Sequence, residues 1–594
     1  MPTYNAPLRD MRFVLYELLG IEGLRALPEG DGFGPDLIDP VLEEAAKLAE
    51  HVLLPLNRSG DEEGCVLENG VVRTPKGFRE AYRTYAEGGW TSLACDPEFG
   101  GQGLPHALAV FVEEMVCATN LSFSLYPGLT FGAYSALHAH ASDEVKQRFL
   151  PKLVDGSWTG AMCLTEPHSG SDLGLVRTRA VPQADDTYRI TGTKIFISAG
   201  DHDLSENIVH LVLARLPDAP RGTKGLSLFA VPKLLTDEHG RPAVRNAVTC
   251  GSIEHKMGIK ASATCVINFD DATGWLVGEP HRGMAAMFTM MNTERLAVGV
   301  QGLGIAEAAY QNAAAYARDR LQGRSVSGVR LPDKAADPII VHPDVRRMLL
   351  TMRAYAEGMR ALGQWVAQAL DRRERDADPA ARAAADEFVS LMTPVVKALF
   401  TDLGVECASL GIQVFGGHGY IREHGMEQYL RDARIGPIYE GTNGIQALDL
   451  VGRKLPMCSG ALAERFFAPV EEFIAAANAQ PALAEFVRPL GVALDRLRGV
   501  TDWVLKAGGA DPEEGAAAAT EYLRLFGLVA LGYMWARSAA VALAAAGGPE
   551  AGFYQAKLNL ARFYVQRLLP QTEALASAIL AGGRAIRAFE EAAF

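Results

Sequence analysis

The spacing of apolar positions changes twice along this chain, and each change predicts a new kind of structure. From residue 1 to about 160 the spacing is helical: Val41 to Leu56 repeats at three and four residues, and Ala107 to Ala118 is a second apolar-rich run. Between them Asp96-Pro-Glu-Phe-Gly-Gly-Gln-Gly-Leu-Pro105 is dense in Gly and Pro and predicts a loop. Ser142 heads Asp143 to Leu150 as a helix cap. From 160 to 282 the runs are short. Tyr188 to Ile197 alternates, and His210 to Arg215, Leu226 to Val231 and Thr264 to Phe269 follow, separated by Gly, Pro and Asp turns. Strands without intervening helices predict a small antiparallel β-barrel or sandwich. From 283 to 455 helices return at Gly283 to Arg320, Pro343 to Leu370, Ala381 to Leu410 and Asn443 to Gly452, the pattern of a bundle. Gln322 to Asp337 reads as an ordered insertion or a mobile loop. Beyond 456, Phe466, Phe467, Val470, Phe473 and Ile474 share one helical face, and Ala516 to Ala546 and Phe553 to Ile586 continue it. The expectation is a mainly α chain with a central β domain. Its predicted divisions are 1–159, 160–282, a helical bundle over 283–455, and a helical packing or oligomerisation extension over 456–594.

Composition narrows the picture. A chain of 594 residues is too long for one domain. Hydrophobic residues at 48% and charged residues at 22% describe an ordinary globular protein. A net charge of −14 argues against general nucleic-acid binding, which needs a basic surface. Eight cysteines occur without a Cys-x-x-Cys pair, which favours reduced thiols and argues against a zinc site. The start, Met1-Pro-Thr-Tyr-Asn-Ala-Pro7, lacks the order of a signal peptide. The longest strongly apolar stretch, Leu525 to Ala536, lies between two arginines and reads as too short to span a bilayer. A cytoplasmic protein without a membrane span is expected.

Chemistry concentrates in a few stretches. In Tyr439-Glu-Gly-Thr-Asn443 one carboxylate stands between apolar residues and a Gly; poor solvation there would raise its pKa and suit it to act as a base. Thr442 or Asn443 can cap the helix that follows. Taken alone, the stretch reads better as a surface loop. Gly160 to Asp172 supplies hydroxyls and backbone N–H groups suited to flavin ring atoms or phosphate oxygens. In Lys194-Ile-Phe-Ile-Ser-Ala-Gly200 a strand aromatic, Phe196, could lie against a flat ring while Ser198 bonds its edge, although strand aromatics are more often core. Ile412-Gln-Val-Phe-Gly-Gly-His-Gly-Tyr420 permits close backbone approach but lacks the context of a Rossmann fingerprint.

These stretches, in this order, resemble the acyl-CoA dehydrogenase family. The landmarks are Phe99-Gly-Gly-Gln-Gly-Leu104, Thr165-Glu-Pro-His-Ser-Gly-Ser-Asp172, Lys256-Met-Gly-Ile-Lys-Ala-Ser262, Phe415-Gly-Gly-His-Gly419, Arg431-Asp-Ala-Arg434 and Tyr439-Glu-Gly-Thr442, spread over residues 40 to 455. The tail and the opening Tyr4-Asn-Ala-Pro-Leu-Arg-Asp-Met-Arg12 resemble a longer bacterial subgroup that includes 3-methylmercaptopropionyl-CoA and broad-range fatty acyl-CoA dehydrogenases. The resemblance implies an N-terminal helical domain, a β-barrel middle domain, a four-helix-bundle domain and FAD as cofactor. It implies oxidation of an acyl-CoA to a trans-2-enoyl-CoA, with electrons passed to electron-transfer flavoprotein.

By that resemblance Glu440 is the base, and its backbone N–H polarises the thioester. Thr165 and Ser198 bond the flavin ring, and Phe196 takes a place often held by Trp. Ser171 lies near the flavin pyrophosphate and the CoA chain. Gln413, Gly417 and Thr442 contact the ADP half, Arg320 reaches the pyrophosphate of a neighbouring subunit in a homodimer, and Arg295 lies close to the substrate. Glu294 is a rival base, because some branches of the family carry theirs just before that helix Arg. Three departures stand out: Arg320-Leu-Gln-Gly-Arg324 lacks a usual Phe, Gly444 replaces a bulkier polar residue, and His168-Ser169 replaces a small pair. An acyl-CoA oxidase and a flavin-bearing scaffold are the alternatives. Substrate stays open between 3-(methylthio)propionyl-CoA and straight-chain fatty acyl-CoA.

Overall fold

A computed structural model describes residues 2–594, which divide into two compact units. One comprises Ala45–Pro105 and Met115–Ala297 and holds the strands; the other comprises the chain up to Glu44, His106–Glu114 and Val298–Phe594 and is helical.

In the strand unit, helix α1 (Leu121–His140) starts where the Asn120 side chain accepts the Phe123 N–H at 3.0 Å. Helix α2 (Asp143–Val154) starts on the Ser142 hydroxyl, the cap expected from sequence. Seven strands follow: β1 (Trp158–Cys163), β2 (Arg179–Pro182), β3 (Tyr188–Ser198), β4 (Asn207–Arg215), β5 (Leu226–Pro232), β6 (Val248–Ile253) and β7 (Thr264–Val277). The order β7-β3-β2-β4 is closed by β5, which pairs with both β4 and β7, so these strands form a barrel; β1 flanks β4 and β6 flanks β7. Two register shifts bend β7 so that Trp275–Val277 leave β3 and reach β5. Ile190, Ile208, Val212, Phe229, Val231 and Phe269 fill the core.

The pairing is mixed, where an antiparallel set was expected. β1 runs parallel to β4 in register Trp158↔Asn207 to Cys163↔Val212, and β2 meets β4 in parallel at Arg179↔Arg215. A parallel pair needs a long crossover, and the chain between β1 and β4 supplies one that itself contains β2 and β3.

In the helical unit, α3 (Gly283–Asp319, entering at Val298), α4 (Pro343–Arg375) and α5 (Pro379–Phe415) are the long helices. Asp378 caps α5 by accepting the Ala380 N–H at 2.9 Å, and Pro379 begins it. A Cβ on Gly302 would stand 2.3 Å from the Phe400 carbonyl, so glycine lets α3 and α5 approach backbone to backbone. Short helices α6 (Met426–Ala433) and α7 (Asn443–Asp449) follow. The extension then adds α8 (Glu464–Ala477), α9 (Ala484–Ala510), α10 (Pro512–Ala544) and α11 (Ala551–Phe563). α10 packs on α4 and α5: Trp535 donates its indole N–H to the Ala354 carbonyl at 3.1 Å, and Gly527 accepts the Leu399 side chain. The expectation that no segment is long enough to span a membrane needs amending. Pro379–Tyr420 and Pro512–Ala544 are both long and apolar enough, but 83% of the apolar window of each is buried within the protein, as in core helices.

A buried charge cluster joins the start of the chain to the extension. Arg360 on α4 donates to Glu114 at 2.9 Å, to Glu307 at 2.7 Å and to Asp10. Lys557 on α11 bonds Asp10 and, at 2.6 Å, Glu357. Asp10, Glu114, Glu307, Glu357, Arg360 and Lys557 are all buried.

Candidate active site

The turn after α6 carries Glu440 in an unusual backbone state. Its φ is 55°, in the left-handed region that non-glycine residues avoid, and Gly441 follows at 79°. Such a residue costs on the order of 1–3 kcal/mol and persists only where its surroundings dictate it. Here they do. The buried Lys397 ammonium donates to the Gly436 carbonyl at 2.8 Å and to Asn443 Oδ1 at 2.9 Å. Asn443 Nδ2 donates to the Ala398 carbonyl at 3.1 Å and to Asp402 at 2.8 Å. Gln446 Nε2 bridges the Glu440 and Gly441 carbonyls at 3.3 and 3.1 Å, and the Tyr439 hydroxyl bonds Gln301. Thr442 occupies the cap position of α7, but its hydroxyl donates to the Pro437 carbonyl at 3.1 Å and caps nothing. The expected capping role of Thr442 or Asn443 is replaced by bracing of the Glu440 turn. Lys397, Gln446 and Gln301 were not singled out from sequence; a lysine inside Val395-Val-Lys-Ala-Leu-Phe400 was the available signal.

The end of α5 places Gln413 and Gly417 on an exposed turn, with Gly416 at φ 60°. Tyr316 of α3 stacks on Phe415 at 4.0 Å and bonds His418 Nδ1 at 2.8 Å, fixing that turn. Arg320, one turn farther along, is exposed and donates to Gln322 Oε1 at 3.3 Å.

In the strand unit, Thr165 follows β1 and is half-buried, and its carbonyl accepts the Ile195 N–H of β3 at 2.9 Å. That bond sets Thr165 beside the strand end bearing Phe196 and Ser198. Lys194, wholly buried, donates to the Leu164 carbonyl and to Glu166 Oε1, both at 2.9 Å; Glu166 also accepts from the Thr178 hydroxyl at 2.6 Å and the Arg177 N–H at 2.8 Å. Burial opposes the Glu166 charge, but Lys194 and these donors outweigh it and hold the carboxyl at about 2. Ser171 is exposed on the same loop. His168 is exposed on that loop and bonds the Leu175 carbonyl at 3.0 Å. Phe196 is not core. Its φ is 57° and it is 59% exposed, while Ser198 is half-buried opposite Thr264. Glu294 and Arg295 are both buried on the first part of α3. A Cβ on Gly132 would lie 2.4 Å from Glu294 Oε1, so glycine makes room for that carboxylate. Arg295 donates to Asn292 Oδ1 at 3.3 Å.

Lys194→Met leaves Glu166 buried without its cation, a loss of about 3–5 kcal/mol for such pairs. Urea unfolding of the strand unit is expected to show it as a lower midpoint.

Family models match nearly the whole chain: acyl-CoA dehydrogenase N-terminal domain over 41–157, middle domain over 161–272 and C-terminal domain over 281–455, then an acetyl-CoA dehydrogenase C-terminal-like domain over 466–590. The chain belongs to the acyl-CoA dehydrogenase family. This acyl-CoA dehydrogenase is 46% identical to 3-methylmercaptopropionyl-CoA dehydrogenase of Ruegeria pomeroyi, over 96% of its own length and 97% of the relative's. It is 35% identical to the broad-specificity linear acyl-CoA dehydrogenase FadE5 of Mycobacterium tuberculosis over the full length of both. Among solved structures, an acyl-CoA dehydrogenase complexed with FAD from Bacillus anthracis matches the fold with a TM-score of 0.76 at 21% identity, over 96% of this chain and 91% of that one.

Proposed function

We propose that this acyl-CoA dehydrogenase uses FAD and Glu440 to convert an acyl-CoA thioester to its trans-2-enoyl-CoA. The observation that carries the reading is the backbone of Glu440, held at φ 55° by Lys397, Asn443 and Gln446 around one half-buried turn. A surface loop needs no such bracing; a carboxylate that must meet one C–H bond does. Glu440 takes the proton from the carbon next to the thioester, and its own N–H supports the carbonyl oxygen as charge develops there. FAD, when bound, supplies the acceptor for the hydride that leaves the neighbouring carbon.

The residues fit that cofactor. An uncovered aromatic, Phe196, stands beside the half-buried hydroxyls of Thr165 and Ser198, suited to a flat ring with polar edges. Ser171 takes the pyrophosphate and CoA chain, Gln413, Gly417 and Thr442 the ADP half, and Arg320 the pyrophosphate of a second copy in a homodimer. Arg295 borders the acyl group, and Glu294, buried against Gly132, is a structural carboxylate. Electrons leave to electron-transfer flavoprotein, and eight free cysteines suit a cytoplasmic setting.

The relative of higher identity is named for a thioether substrate and the other for linear acyl groups. We therefore favour 3-(methylthio)propionyl-CoA, with straight-chain acyl-CoA second. A spectrophotometric screen across chain lengths is expected to give the highest kcat/KM for the thioether. A straight-chain substrate better by tenfold or more would reverse the order. A dye-linked signal well above peroxide production is expected; the opposite ratio would make it an oxidase.

A further inference from the structure

The helical unit contains a cleft that the proposed chemistry leaves unused. Between α3 and α4 lies a cavity of about 470 Å³, within the range of small-molecule sites. Four arginines line it: Arg318 from α3, Arg346 and Arg353 from α4, and Arg330 from the segment joining the two helices. Its remaining lining is apolar, including Leu349, with the single phenol of Tyr310. Arg353 pairs with Glu357 at 2.5 Å, whereas Arg318, Arg330 and Arg346 form no ion pair among the described residues. Arg318, Arg330 and Arg346 are exposed, so water screens their mutual repulsion and leaves their guanidinium donors open to an anion entering the cleft.

The fourth arginine is delivered by a built segment. Asp337, fully buried, accepts the N–H groups of Ser325 at 2.9 Å, Arg330 at 3.0 Å and Leu331 at 2.8 Å, and pairs with Arg324 at 3.3 Å. These donors hold its carboxyl at about 2, so the segment stays locked across the working pH range. Gln322 and Asp337 bond across its neck at 2.9 Å, and the Arg330 guanidinium rests on the Ser327 hydroxyl at 3.0 Å. The insertion or mobile loop read from sequence is thus an ordered arm. The cleft also differs from the proposed flavin residues. Arg318 and Arg320 are two positions apart on the chain, about 200° around a helix axis, and Tyr316, which fixes the Gln413–Gly417 turn, shares the side of Arg320.

Guanidinium forks match phosphate oxygens in pairs, and an apolar wall with one phenol suits a flat base rather than a second charged group. We propose that this cleft binds a nucleoside diphosphate group, either free or as the head of coenzyme A, with its pyrophosphate on Arg318, Arg330 and Arg346 and its base against Tyr310 and Leu349. The site is independent of the reading of Glu440.

Calorimetric titration of the FAD-saturated enzyme with ADP, coenzyme A and inorganic pyrophosphate tests it. One ADP per chain is expected, bound at least fivefold more tightly than pyrophosphate. Arg318→Glu, Arg346→Glu and, on the arm, Arg330→Ala should each weaken ADP tenfold or more while flavin content and kcat hold. Coenzyme A binding beyond one per chain, with the excess lost in Arg346→Glu, assigns the site to its head group; ADP binding without that excess assigns it to free nucleotide. The proposal is overturned by no ADP binding at millimolar concentration, by variants within twofold of the parent, by pyrophosphate binding as tightly as ADP, or by release of FAD on adding ADP.

Discussion

Replacing Arg360 with Met is expected to destabilise the helical unit by about 3–5 kcal/mol at pH 8. The guanidinium lies among Asp10, Glu114 and Glu307, and its loss leaves four buried carboxylates, these three and Glu357, with Lys557 and the partly exposed Arg353 as the remaining cations. Even the parent cluster has one carboxylate too many, four against three cations. Burial accordingly pushes the Glu114 carboxyl up to about 7, although Arg360 pulls the other way. The sign of the pH effect follows. Glu114 holds its proton more tightly in the fold than in the unfolded chain, so its contribution to stability is complete below the usual carboxylate range. It is lost as pH rises towards 7, at about 1.4 kcal/mol per unit. Without Arg360 the Glu114 carboxyl loses the cation that pulls it down and moves higher still, so the deficit of the variant should shrink between pH 8 and pH 5.5. Urea unfolding followed by tryptophan fluorescence at both values measures it. A variant within 1 kcal/mol of the parent at pH 8, or one whose deficit grows in acid, would contradict this account of the cluster.

Much of the fold is written in local patterns. The long helices announce themselves because their apolar periodicity runs for many turns, and Ser142 and Pro343 mark starts by capping chemistry that needs only near neighbours. β1 escaped notice because Trp158 to Cys163 is buried on both faces and does not alternate. Its parallel partner lies far along the chain, so neither the pairing nor the barrel closure by β5 has a local signature. The stretches around Thr165, Phe196, Gln413 and Glu440 were legible through their residue types and order. Their supports were not: Lys397 reaches a carbonyl 39 positions away, Lys194 reaches Glu166 across 28, and Lys557 meets Asp10 across 547. A left-handed backbone state turns Phe196 outward, which the general core preference of strand aromatics does not convey. The membrane criterion failed on the scale of the window. Arg524 and Arg537 bound a short stretch, while the helix they sit in runs from Pro512 to Ala544.

The larger effect on activity is expected from Glu440→Gln. Glutamine keeps the shape of the side chain and the N–H of the turn but cannot take a proton, so the bracing by Lys397 and Gln446 should survive and flavin content should match the parent. General-base catalysis contributes about 10²–10⁴-fold, and the whole of that is assigned here to one carboxylate. Glu294→Gln is the control, because that carboxylate is buried against Gly132 on α3 and is predicted to change rate by less than tenfold. The deciding measurement is the anaerobic stopped-flow rate of flavin bleaching by acyl-CoA in the parent and the two variants. The account predicts a loss of about 10³-fold or more in Glu440→Gln with Glu294→Gln near the parent; bleaching retained in Glu440→Gln and abolished in Glu294→Gln would contradict it.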